Sequence, residues 1–69
     1  IKALKEAIHL QPDNAQAYNN LAYSYEQMGN FAEAIVAYQN VLKYLKGDPA
    51  YLETVRKHIQ TLRTQNKSN

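Results

Sequence analysis

Along the chain, apolar residues recur at steps of three and four, the spacing that puts them on one face of a helix. In residues 1–10 the stripe is Ile1, Leu4 and Ile8, with the small Ala3 and Ala7 beside it and Lys2, Lys5 and Glu6 on the other side. Gln11-Pro12-Asp13-Asn14 ends that segment, because proline disfavours helical geometry in the residue before it. Asp13 and Asn14 both suit an N-cap, and Gln16 stands three residues after Asp13, as in a capping box. A second helix over 15–28 carries Tyr18, Leu21, Ala22, Tyr25 and Met28 as its stripe, and Gly29 follows as a left-handed C-cap. Asn30, with Glu33 three residues on, opens a third helix by the same box pattern. This helix carries Phe31, Ala34, Ile35, Tyr38, Val41, Leu42 and Leu45, and ends near Lys46-Gly47. Asp48-Pro49 then reads as a cap followed by proline at the first helical position, where its missing N–H costs nothing. A fourth helix over 49–63 has Leu52, Val55, Ile59 and Leu62 on one side, and residues 64–69 are polar and expected to fray. No stretch alternates with period two, so an all-α chain of four helices is predicted, with no sheet.

Shifted by 34 residues, the sequence aligns with itself. Ile1 meets Ile35, Leu4 meets Tyr38 and Ile8 meets Leu42; further on, Leu21 meets Val55 and Tyr25 meets Ile59. The apolar position is kept more often than the residue, as a stack of like units requires. A helix-turn-helix unit of 34 residues is the length of the tetratricopeptide repeat. Tyr18-x-x-Leu21-Ala22-x-x-Tyr25 resembles that family's W-x2-L-G-x2-Y segment, and Ala34-x-x-x-Tyr38 resembles its A-x3-F segment. Ala7 and Pro12 stand where the late alanine and closing proline of a preceding unit would stand. Three positions depart from the pattern: Val41 for the late alanine, Lys46 for the closing proline, and Ala22 for the small glycine.

The resemblance implies stacked antiparallel helix pairs in a short α-solenoid. It divides the chain into the second helix of a partial repeat (1–10), a complete repeat (15–46) and a capping helix (49–63), with the tail 64–69 beyond. Arg56 falls where a small contact residue would stand, which suits a helix with no further neighbour. The absence of an initiator methionine points to a fragment or a processed piece.

First helices of this family line a concave groove. By position the resemblance assigns Gln16, Asn19, Asn20, Tyr23, Glu26 and Gln27 to the groove, joined by Ala50, Glu53, Thr54 and Lys57 from the last helix. Side-chain amides offer a donor and an acceptor each, which suits an extended peptide backbone. Tyr23 adds a flat apolar ring with a polar tip. The plainer reading is a solvated helix face. Relatives that clamp the carboxylates of chaperone tails do so with basic residues from adjacent repeats; Asn20 matches their asparagine, but Ala50 and Thr54 stand at the basic positions. The implied partner is therefore a protein or peptide other than a chaperone tail.

Composition narrows the remaining classes. Of 69 residues, 45% are hydrophobic and 20% charged, an ordinary globular balance. A chain this size buries only ~60% of the surface its unfolded form exposes, so its core is thin. No cysteine is present to staple that core or hold a metal. No apolar run approaches the ~20 residues that span a bilayer, so no membrane insertion is expected, and a cytoplasmic-type module fits. Net charge is +2, unevenly spread: residues 43–69 hold six basic residues against two acidic ones. That excess comes without interleaved aromatics, so a solvated face is expected rather than a nucleic-acid site. His9 and His58 have no carboxylate at useful spacing on their own helices, and no hydroxyl has an adjacent activating base. The sequence thus predicts an interaction module, with no enzyme chemistry and no cofactor. The competing readings are a structural segment that assembles with copies of itself, with association through residues 1–10, and, ranked below it, a basic nucleic-acid-binding helical module.

Overall fold

The computed structural model describes residues 2–45 and 47–68, and these form four helices in chain order: α1 (Lys2–Leu10), α2 (Ala15–Gln27), α3 (Phe31–Tyr44) and α4 (Pro49–Ser68). The described residues hold no strand. Ile1, the first member of the expected stripe, Lys46 at the closing-proline position and Asn69 in the tail lie outside the described residues.

Local chemistry explains each helix end. Asn14, rather than Asp13, caps α2: its Oδ1 accepts from Ala17 N–H at 3.1 Å. At the far end Gly29 takes φ +80°, which only glycine adopts without strain. Gly29 N–H donates to Glu26 O at 3.0 Å and Asn30 N–H to Tyr25 O at 2.9 Å, the paired bonds of a Schellman closure. That closure uses the Asn30 N–H that a capping box with Glu33 would need, and the Asn30 side chain makes no capping bond. The second box expected from sequence is therefore not formed. Asp48 does cap α4, its Oδ1 accepting from Ala50 N–H at 3.1 Å and Tyr51 N–H at 3.3 Å.

The largest difference from expectation lies at the C-terminus. α4 runs to Ser68, so residues 64–68 are helical rather than frayed. No glycine or proline interrupts Arg63 to Ser68, and Thr64 Oγ1 folds back onto Gln60 O at 3.2 Å.

α3 is the central element, packed on α2 and on α4, while α1 packs on α2 alone. Small residues let α2 and α3 approach closely: Ala22 and Ala34 are fully buried and Ala37 nearly so. Around them Leu21, Tyr25, Tyr38 and Val41 meet Val55, Ile59 and Leu62 of α4 in one core. Leu4 and Ile8 reach the edge of that core from α1, which contributes no fully buried residue. Met28, placed on the apolar stripe by its spacing, sits at the α2 C-cap and is exposed. Tyr18 is half-buried and stacks on Tyr44, ring centroids 5.6 Å apart at 10°. The Cα trace measures 35 × 29 × 13 Å, a thin slab with two broad faces.

Candidate functional site

Once α3 has taken the core-facing side of α2, the remaining α2 positions form a polar face. Gln16, Asn20, Tyr23 and Gln27 are exposed there, Tyr23 at 60%. Gln16 Nε2 donates to Asn20 Oδ1 at 3.4 Å, and Ser24 Oγ to Asn20 O at 3.0 Å, so Asn20 is held from both sides on its own helix. From α4, Ala50, Glu53, Thr54 and Lys57 are also exposed. Glu53 pairs with Arg56 at 3.4 Å, a surface contact contributing little stability.

Two side-chain bridges join α2 to α4. Tyr51 OH donates to Asn19 Oδ1 at 3.3 Å, and His58 Nε2 lies 2.8 Å from Glu26 Oε1. Because a carboxylate only accepts, Nε2 is the protonated nitrogen and donates. Each bridge spans 32 residues, so residue i of α2 faces residue i+32 of α4 at both places.

Glu26 is the centre of the larger bridge. Its Oε1 also accepts from Tyr38 OH at 3.1 Å, so α2, α3 and α4 converge on one oxygen. The Tyr38 and His58 rings meet edge to face, centroids 5.2 Å apart at 88°. Burial pushes the Tyr38 phenol up to about 12, helped by the charge of Glu26 and its hydrogen bond. Glu26 is only 21% exposed, unlike its neighbours Tyr23 and Gln27. His58, expected to be isolated, gains its carboxylate across helices rather than along its own.

The second bridge stands beside a cavity of about 230 Å³ between the start of α2, the end of α3 and the start of α4. Ala15, Val41 and Leu45 supply its apolar part. Gln16, Asn19, Asp48 and Tyr51 supply its polar part. Of the residues assigned by position, the fold thus brings Gln16 and Asn19 into one cavity and leaves Tyr23, Gln27 and Lys57 exposed outside it. Sequence reasoning missed Asp48 and Tyr51, although the relation of i to i+32 pairs them with Gln16 and Asn19. An open groove of about 360 Å³ lies between α2 and α3, lined in part by Tyr18, Tyr25, Ala32 and Val36.

No helix of the described residues is long and apolar enough to cross a membrane. Residues 15–47 match the family model of the tetratricopeptide repeat. No curated protein and no solved structure matches the chain.

Proposed function

We propose, because residues 15–47 match the family model of the tetratricopeptide repeat, a family of protein-interaction modules, that the α2–α4 face of this chain binds an extended peptide segment of a partner protein. The observation that carries this reading is Tyr23, a large aromatic left 60% exposed in a row of side-chain amides and used by no part of the core. Aromatic rings and amides are adaptable contact groups, and both bridges hold α4 beside α2 so that the two helices present one surface. Asn20 and Tyr23 are the central contacts, with Gln16, Asn19 and Gln27 along the same helix and Lys57 across from them. Glu26 supports this surface from below through Tyr38 and His58.

Peptides selected from a display library, followed by amide chemical-shift mapping, test the assignment. Shifts centred on Asn20 and Tyr23, lost in Asn20→Ala and Tyr23→Ala, support it. Shifts centred on Lys2, Lys5 and Gln39 move the site to the opposite face and overturn it.

A second reading, self-association through the α1 side, is favoured by a different observation. Leu10 is 80% exposed and Val36 58% exposed, and α1 has no fully buried residue.

A further inference from the structure

Acidic and basic residues separate along the chain. Residues 1–53 hold all six acidic residues and four basic ones, whereas residues 54–69 hold four basic residues and no acidic one. The fold gives this excess a shape. Because α4 continues to Ser68, Lys67 stands on the same helix as Arg56 and Arg63 instead of in a frayed tail. Steps of seven and four residues bring Arg56, Arg63 and Lys67 within about 40° of one another around the helix, at intervals of roughly 10 Å and 6 Å along it. All three are exposed, as are Gln60 between them and Lys57 beside them.

Little in the fold neutralises this face. Glu53 pairs with Arg56 at 3.4 Å. No acidic residue stands three or four positions from Arg63 or Lys67, and these two form an i, i+4 pair of like charge, which weakens a helix. The remaining acids are engaged elsewhere. Glu26 accepts from Tyr38 and His58, Glu33 lines the groove between α2 and α3, and Asp48 caps the first turn of α4. Glu6 and Asp13 belong to α1 and the turn after it, and α1 packs on α2 alone. Ile1, Lys46 and Asn69, outside the described residues, carry no acidic side chain to offset the excess. An anionic partner gains attraction from this face and relieves the repulsion within it.

Three classes of anion can be compared. Single-stranded nucleic acid uses aromatic rings for its bases as well as cations for its phosphates, and the one ring beyond Thr54, His58, faces Glu26 and Tyr38. A lipid surface takes up apolar side chains beside the cations, and here Ile59 and Leu62 are buried in the core. A row of carboxylates needs the cations alone, and the arginine forks at 56 and 63 match carboxylate geometry. The match of residues 15–47 to a family of protein-interaction modules points the same way. We propose that the outer face of α4, from Arg56 to Lys67, binds an acidic segment of a partner protein, its carboxylates set against Arg63 and Lys67 and, at the near end, Arg56. This is a contact surface separate from Asn20 and Tyr23 on α2.

A capped oligoglutamate peptide is the probe, with oligoglutamine of the same length and an oligothymidylate of the same charge as comparison ligands. Amide shifts of the labelled full chain are followed during titration at about 0.15 M salt, where only close charges still attract. Oligoglutamate is expected to move the amides of Arg56, Gln60, Arg63 and Lys67, and oligoglutamine to move none of them. Arg63→Gln combined with Lys67→Gln alters two exposed side chains and is expected to weaken oligoglutamate binding roughly fivefold, the size of effect two surface ion pairs give. Equal shifts from the two peptides, no shift at these amides, or shifts centred on Lys2, Lys5 and Lys43 overturn the proposal whether or not the variant folds. Tighter binding of the oligothymidylate assigns the face to nucleic acid and overturns it. The same shifts on concentrating the protein alone assign the face to a second copy and overturn it too. Each of these results leaves the reading at Asn20 and Tyr23 intact, and a failure at Asn20 and Tyr23 leaves this one intact.

Discussion

At position 38 a phenol stands where the repeat pattern favours phenylalanine, and its hydroxyl donates to Glu26 Oε1 at 3.1 Å. Burial and the Glu26 carboxylate raise its pKa from 10.0 to about 12. The fold therefore favours the neutral phenol, and the unfolded chain releases that proton first. The stability Tyr38 contributes is fully present below pH 10 and is lost progressively as the pH rises to about 12. Tyrosinate absorbance is expected to show a late titration step that vanishes in Tyr38→Phe; if the step survives that substitution, it belongs to another residue. Neighbouring tyrosines divide by depth in the same way. Tyr25 is buried in the shared core, and Tyr25→Ala is expected to cost about 3 kcal/mol or more through the cavity it leaves. Tyr23, two residues earlier and 60% exposed, is expected to tolerate alanine within about 1 kcal/mol. Denaturant unfolding of the two variants measures the contrast, and comparable losses would mean that the packing face is misassigned.

The helices themselves are legible in the sequence, because the spacing of Leu21, Tyr25, Ile35, Tyr38, Val55 and Ile59 fixes both the element type and the face it buries. Caps are legible only where a single residue decides. Asp48 and Gly29 act alone, and both behave as expected, whereas the box at Asn30 fails because its N–H already closes α2. The continuation of α4 through Ser68 was hidden by composition, since polar residues without glycine or proline fit a solvated helix as well as a frayed end. Asn20, Tyr23 and Gln27 are assigned to a groove by the family resemblance; they are exposed, as they would be on a solvated helix face as well. The link between Glu26 and His58 was not legible along either helix, because it depends on how α4 lies beside α2 in the folded chain. Like the bond from Tyr51 to Asn19, it joins α2 to α4 directly, so it is expected to couple the two helices energetically. A double-mutant cycle with Glu26→Gln and His58→Gln is expected to give an interaction energy of about 1 kcal/mol, kept small because His58 is 38% exposed. Strict additivity of the two substitutions would show that the bridge holds nothing.

As a whole, the molecule is a slab 13 Å thick, and a slab buries little for its length. One consequence is apolar surface at its N-terminal side. α1 packs on α2 alone, Leu10 is 80% exposed, and Val36 on α3 is 58% exposed beside the groove formed with α2. A nine-residue helix is marginal in water without tertiary contacts, so α1 depends on what covers it. Units that stack within an array present surfaces that can stack between arrays, so a second copy is a ready cover. Self-association through this side is therefore expected at high concentration, with α1 amides gaining protection from exchange as the associated form populates. Val36→Lys places a charge in the contact without disturbing the core, and is expected to shift the equilibrium back to monomer. Sedimentation equilibrium of the two proteins decides the matter. A strictly monomeric parent at millimolar concentration, with α1 already well protected, would show that Leu4 and Ile8 suffice to hold the helix and that this side needs no partner.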